Sequence, residues 1–303
     1  MKTITLALIV VLHTTGLWTH ISKDDRTRLI NASTNVKTAA PSAPAPVAVL
    51  PPPIRVSDAS LDLPATAVIA TDVASGTILY AKNSGAHRPI ASVTKLITAL
   101  VILSRHSPDE LVTVPKLPAY PQEAETIGFI PGDTMRLRDV LEAALVPSAN
   151  DAADTLAIWD SGSVTKFAAK MNAKMSEWGI TDTHFASASG LEDTNNYTTA
   201  AALAKIATLA VANPTLKTIV SHTGGTITSG QNRVYTFKTT NELLASGQFY
   251  GIKTGYTQAA GECFVGLTRI NGHEVVTVVL DAGNRFGATT TLTNWIGQTW
   301  QWL

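Results

Sequence analysis

The chain has 303 residues, 45% of them hydrophobic and 15% charged, enough apolar material for one large domain or two small ones. Its 23 basic and 23 acidic residues cancel, which removes the electrostatic footprint of a nucleic-acid binder. Cys263 is the single cysteine and the seven histidines never fall in a metal-binding spacing such as H-E-x-x-H, so a disulfide framework is excluded and neither metal nor cofactor is expected.

Residues 3–22 carry no formal charge and centre on the apolar run Ile4 to Leu12, which reads as an export signal. The apolar heart has the length of a signal-peptide core, whereas the whole stretch approaches a bilayer-spanning helix. No Ala-x-Ala cleavage box follows, which favours an uncleaved anchor. Residues 1–22 are therefore expected to be a signal peptide or an N-terminal membrane anchor, with the protein outside the cytoplasm, tethered to the membrane or secreted. Residues 23–58 read as a linker, because Ala39 to Pro53 is Ala-Pro-Ser text ending in three prolines, a composition that favours extended polyproline conformers. At ~3.1 Å per residue this stretch reaches roughly 45 Å. The folded part is expected over 59–303, and because the chain stops at Leu303, any anchoring is expected from the N-terminus.

Within it, the β-prone runs 67–70 and 77–80 flank Ser75-Gly76 and predict a hairpin. The segment 92–103 has helical spacing and is apolar on more than one face, so it predicts a central helix. A second helix is predicted over 137–145, stopped by Pro147, and others over 164–178 and 199–212. Strands are predicted over 233–237, 251–256, 263–269 and 274–280, the last two joined by Asn271-Gly272, a hairpin-turn signal. A helix over 288–302 closes the chain. Strands at both ends with helices between them predict an α+β domain in which the first hairpin and the last strands share one antiparallel sheet.

Three short motifs occur in order: Ser92-Val93-Thr94-Lys95, Ser148-Ala149-Asn150 and Lys253-Thr254-Gly255. They form the S-x-x-K, S-x-N, K-T-G set of penicillin-binding proteins and serine β-lactamases. Each is weak alone. Ser163-Val164-Thr165-Lys166 repeats the first, Ser33-Thr34-Asn35 imitates the second, and His222-Thr223-Gly224 imitates the third. Ser163 follows Gly162 at a predicted helix start, where a hydroxyl residue is a common N-cap, and it comes after the S-x-N motif rather than before it. Ser92 instead opens the apolar helix, with Lys95 one turn away on the same side, which suits a nucleophile and its base.

The surrounding text, Thr94-Lys95-Leu96-Ile97-Thr98-Ala99, Ser148 to Ala153, Phe185 with Gly190-Leu191, Gly251 to Thr257 and Ala260 to Cys263, resembles the low-molecular-mass D-alanyl-D-alanine carboxypeptidases, peptidase family S11. The similarity runs from about Ala65 to about Trp295. It implies a β-lactamase/transpeptidase-like fold, an antiparallel sheet with flanking helices and an inserted helical subdomain. It also implies peptidoglycan stem peptides ending in D-Ala-D-Ala as substrates and β-lactam antibiotics as covalent inhibitors. Under this resemblance Ser92 is the acylated nucleophile, Lys95 its base, made neutral by desolvation beside other cations, and Ser148 the relay to the departing amine. Asn150 holds the substrate amide and Lys95, Lys253 and Thr254 of the K-T-G strand bind the terminal carboxylate, Gly255 completes that strand, and the N–H groups of Ser92 and Tyr256 make the oxyanion hole. Some relatives place an arginine in the preceding strand, where this chain has Thr239-Thr240-Asn241. Cys263 reads as a small buried strand residue.

Competing readings are an endopeptidase of the same family, a class A-like β-lactamase, since Glu192 to Asn196 fits an E-x-x-x-N string, and a wall-binding module that lost its chemistry. The intact motif residues oppose the last. Zinc-dependent carboxypeptidases are excluded by the missing metal spacing.

Overall fold

The computed structural model describes residues 51–191 and 195–303; the expected export segment, most of the linker, the Ser33 motif copy and Glu192 lie outside them. The described fold opens with β1 (Ile54–Arg55), then the hairpin of β2 (Ala65–Asp72) and β3 (Ile78–Lys82). Its turn is held by Asp72, whose carboxylate accepts from the Ser75 backbone N–H at 2.8 Å and the Ser75 hydroxyl at 2.6 Å. A 3-10 turn, Ala91–Val93, feeds helix α1 (Thr94–Leu103), in which every residue from Thr94 to Ile102 is buried. The apolar spacing on more than one face thus marks a central helix, as expected.

Strands β4 (Leu111–Thr113) and β5 (Thr134–Arg136) pair with each other, and α2 (Leu137–Leu145), α3 (Asn150–Ser161) and α4 (Val164–Glu177) follow. Helices α5 (Ala200–Ala212) and α6 (Pro214–Ile219) start at the side-chain caps Thr199 and Asn213. Strands β6 (Gly224–Thr228) and β7 (Val234–Lys238) make a separate hairpin. A meander of β8 (Phe249–Thr257), β9 (Gly261–Ile270) and β10 (His273–Ala282) precedes α7 (Arg285–Thr299) and β11 (Trp300–Gln301). Asn271 and Gly272, both at positive φ, close the β9–β10 hairpin with the twist that two-residue turns prefer.

The main sheet runs β3-β2-β10-β9-β8, antiparallel throughout, so the first hairpin and the last strands do share one sheet, with α1 to α6 inserted between them. Side-chain alternation sorts its two faces. Val68, Ala70, Val275 and Val279 pack with Ala288, Leu292 and Ile296 of α7. Ala67, Ile69, Val265, Val276 and Val278 join the larger core with α1 and α5.

The linker end, the limits of the closing helix and one whole helix differ from expectation. The linker was expected to run to residue 58, but Ile54–Arg55 pairs with Trp300–Gln301, and Trp295 Nε1 donates to Ala59 O at 3.1 Å. The chain therefore joins the fold at Ile54. The closing helix begins at Arg285, where Asn284 caps it, and gives way to β11 at Trp300. Helix α3 was not expected at all: its buried face carries Asn150, Asp151, Asp154 and Thr155, which breaks the apolar period. Among the described residues no helix is long and apolar enough to cross a membrane, and no cluster of His, Cys, Asp and Glu is arranged to hold a metal.

Candidate active site

The turn before α1 is strained. Ala91 has φ 49°, a left-handed conformation unusual for a residue with a Cβ, and it aims Ser92 out of an otherwise buried segment. Two glycines let backbone press against this turn. A Cβ on Gly190 would stand 1.9 Å from Ala91 O, and one on Gly255 would stand 2.7 Å from Ile90 O and 3.2 Å from Ser92 N. The K-T-G strand thus lies flush with the Ser92 turn because its third residue has no side chain.

Lys95, 0% exposed, donates to Ser92 Oγ at 2.7 Å, Asn150 Oδ1 at 2.7 Å and Ser189 O at 2.8 Å, so all three of its protons have acceptors. Burial pulls its ammonium down to about 7, against the attraction of Asp154, Asp151 and Glu125. Desolvation was expected and is the dominant influence; the neighbouring cations expected beside it are corrected, since the charges that act on Lys95 are chiefly carboxylates.

Ser148 occupies the α2–α3 turn at φ 70°, and α3 begins two residues later with Asn150, whose N–H donates to Glu125 O at 2.7 Å. Among the described residues Ser148 Oγ is not bonded to Ser92 or Lys95, so Ser92, Lys95 and Asn150 are in direct contact and Ser148 stands at the neighbouring turn. Asp151 anchors the β4–β5 loop, accepting from the N–H groups of Ile127, Gly128 and Phe129 at 3.2, 2.9 and 2.9 Å.

Strand β8 is the edge of the sheet, open for an extended peptide to pair with. Lys253 is 1% exposed and its Nζ donates to Thr254 O at 3.0 Å. Burial first, then Lys95 and Arg285, drive its amine well below the ordinary lysine range. Its amine is thus buried within the strand-edge segment, with Lys95 and Arg285 as its charged neighbours. The Thr254 hydroxyl is bonded to that of Thr240, so the Thr239-Thr240-Asn241 stretch steadies the K-T-G threonine. Tyr256 follows and is 65% exposed. Arg285, missed in the sequence, donates from Nη1 to Gly255 O at 3.0 Å, bringing a guanidinium against the same strand. No motif surrounds it; its position right after β10, at the N-terminus of α7, was the only available signal.

The motif copies resolve physically. Ser163 Oγ accepts from Lys166 N at 3.2 Å, as an N-cap does, and His222 Nδ1 meets Glu142 Oε1 at 2.8 Å. Asn196, the last residue of the E-x-x-x-N string, is buried, donates to Thr94 Oγ1 at 2.8 Å and accepts from Ala186 N at 3.3 Å. It ties Ala186 to α1. Cys263 is buried, with burial pushing its thiol up to about 11, which leaves it a packing residue.

The family profile described as D-alanyl-D-alanine carboxypeptidase, peptidase S11, matches residues 54–284. A D-alanyl-D-alanine endopeptidase of Pseudomonas aeruginosa is 32% identical over 276 residues, covering 87% of this chain and 85% of the relative. A D-alanyl-D-alanine carboxypeptidase of Streptomyces sp. strain K15 is 35% identical over 249 residues, covering 72% of this chain and 84% of the relative. The crystal structure of the Streptomyces K15 DD-transpeptidase superposes with a TM-score of 0.72 at 31% identity, over 78% of this chain and 98% of that one.

Proposed function

This chain belongs to peptidase family S11, the D-alanyl-D-alanine carboxypeptidases, and from that membership we propose that Ser92 is its acylated nucleophile and Lys95 the general base. It is a serine-type D-alanyl-D-alanine carboxypeptidase with the transpeptidase/β-lactamase-like fold. The observation that carries the residue assignment is the 2.7 Å bond between Lys95 Nζ and Ser92 Oγ, made by a lysine whose burial brings it to about 7.

In this reading a stem peptide ending in D-Ala-D-Ala pairs along the open edge of β8. Ser92 Oγ attacks the carbonyl carbon of the penultimate D-Ala as its proton passes to neutral Lys95. The oxyanion is held by the N–H groups of Ser92 and Tyr256, which the close approach of Gly255 to Ser92 N brings together. Ser148 passes a proton to the departing D-Ala amine, the C–N bond breaks, and water later releases the acyl group from Ser92. Asn150 fixes Lys95 and the substrate amide. Thr254 and Lys253 take the terminal carboxylate by hydrogen bonds, with the Arg285 guanidinium supplying positive charge beside the same strand.

A β-lactam presents the same carboxylate and acyl carbon, but its leaving group stays tethered and obstructs water. Fluorescent penicillin is expected to label the wild type and Ser163→Ala durably and to leave Ser92→Ala unlabelled. Labelling of Ser92→Ala contradicts the nucleophile, and clearance of the wild-type label within seconds contradicts a peptidase in favour of a β-lactamase. Peptidoglycan as substrate implies an extracytoplasmic location, and residues 1–22 supply the membrane tether in this reading. A mature form lacking them, found free in the periplasm or medium, contradicts the tether.

A further inference from the structure

Helix α3 turns more than Asn150 toward the base. Asp154 lies four residues further on, hence on the same helix face, where side chains four apart are ~5–6 Å from each other at Cβ. Asp154 is 5% exposed. Its Oδ2 accepts from the Tyr120 hydroxyl at 2.8 Å, across from the β4–β5 loop. Its Oδ1 is also buried and has no hydrogen-bond partner among the described residues. A buried carboxylate oxygen without a partner is uncommon and costly, and the mechanism above gives Asp154 no role. Asp151 differs in kind, since backbone N–H groups of residues 127–129 and Ala152 occupy its oxygens.

We propose that Asp154, clamped by Tyr120, is a positioning residue that governs the charge Lys95 carries when Ser92 attacks. The proposal rests on the assignment of Lys95 as base. The groups that face Lys95 are Asp154 and Asp151 from α3 and Glu125 from the β4–β5 loop, which favour the cation, and Lys253 from β8, which opposes it. Burial, the largest influence, and Asp151 push the Asp154 carboxyl above the usual carboxylate range, and the Tyr120 bond and Lys95 work against them in favour of its ionised form. Tyr120 is driven up by burial and by Asp154, so it stays protonated and keeps donating. Burial alone would strip Lys95 of its proton too readily, and the Asp154 carboxylate restores affinity. The two opposing influences hold the base near neutrality, where a group that must take up and return a proton works best.

The test is the rate of Ser92 acylation by fluorescent penicillin against pH, in the full chain, for wild type, Asp154→Asn and Tyr120→Phe. Removing the carboxylate charge lowers the proton affinity of Lys95, so the acid limb of Asp154→Asn is expected to move down by about one pH unit. Tyr120→Phe removes the donor that keeps Asp154 ionised and is expected to move the limb in the same direction by less. A limb that stays in place or moves up in a variant that melts cooperatively overturns the proposal, as does a rate lowered equally at every pH, the mark of a merely structural residue. Should Asp154→Asn not fold, Tyr120→Phe decides by the same criterion. Absence of wild-type label at Ser92 overturns the base assignment and this proposal with it; a labelled wild type whose acid limb coincides with those of the variants overturns only the role of Asp154.

Discussion

The two faces of the main sheet are covered in opposite ways. On one, Val68, Val275 and Val279 meet Leu292 and Ile296 of α7, and the polar residues that α7 buries satisfy themselves locally: Thr289 Oγ1 donates to Arg285 O and Thr293 Oγ1 to Thr290 O. On the other, the same strands back onto helices that bury Lys95, Asn150, Asp151 and Asp154, with Lys253 at the strand edge. The first face stabilises through apolar burial, at roughly 25 cal/mol per Å². The second gives up part of that stabilisation, because desolvated charges cost free energy, and receives in return an amine brought to about 7 beside a hydroxyl. Stability and reactivity thus reside on opposite sides of one sheet, and mutations on each side should separate accordingly.

The largest effect is expected on the reactive side. Lys95→Arg keeps a cation but cannot release its proton near neutral pH, so acylation by penicillin should fall about 10²–10⁴-fold, the usual worth of a general base. Stopped-flow labelling, with circular dichroism confirming the fold, measures this; near-normal rates in a folded variant break the division of labour. On the other side, Leu292→Ala truncates a fully buried residue and should cost about 2–5 kcal/mol in urea unfolding. Its labelling rate per folded molecule should match the wild type, and a slowed rate would show that the α7 face also shapes the site.

Legibility from sequence follows the same division. The sheet was readable because β2, β9 and β10 alternate or run apolar between strong turn signals such as Asn271-Gly272, and α1 because its spacing leaves no polar face. The contact of Ser92, Lys95 and Asn150 and the approach of Gly255 to Ser92 were foreshadowed because three motifs in order outweigh their isolated copies. Helix α3 was hidden by the very residues that make it useful, since buried Asn150, Asp151 and Asp154 look like a polar loop. Arg285 and Tyr120 were hidden because they reach the site only through tertiary contacts, with Gly255 O and Asp154 Oδ2. The β1–β11 pairing joins two-residue strands from opposite ends of the folded chain, too short for any periodicity to appear.

The most direct test of the central claim is the pH dependence of wild-type acylation at Ser92, followed by rapid-mixing fluorescence and located by mass spectrometry of the labelled peptide. In the proposed mechanism attack requires neutral Lys95, and burial brings its amine to about 7, so the rate should climb with pH through an acid limb centred near that value. A rate at Ser92 that is flat from well below to well above this point would contradict a buried neutral lysine as the base.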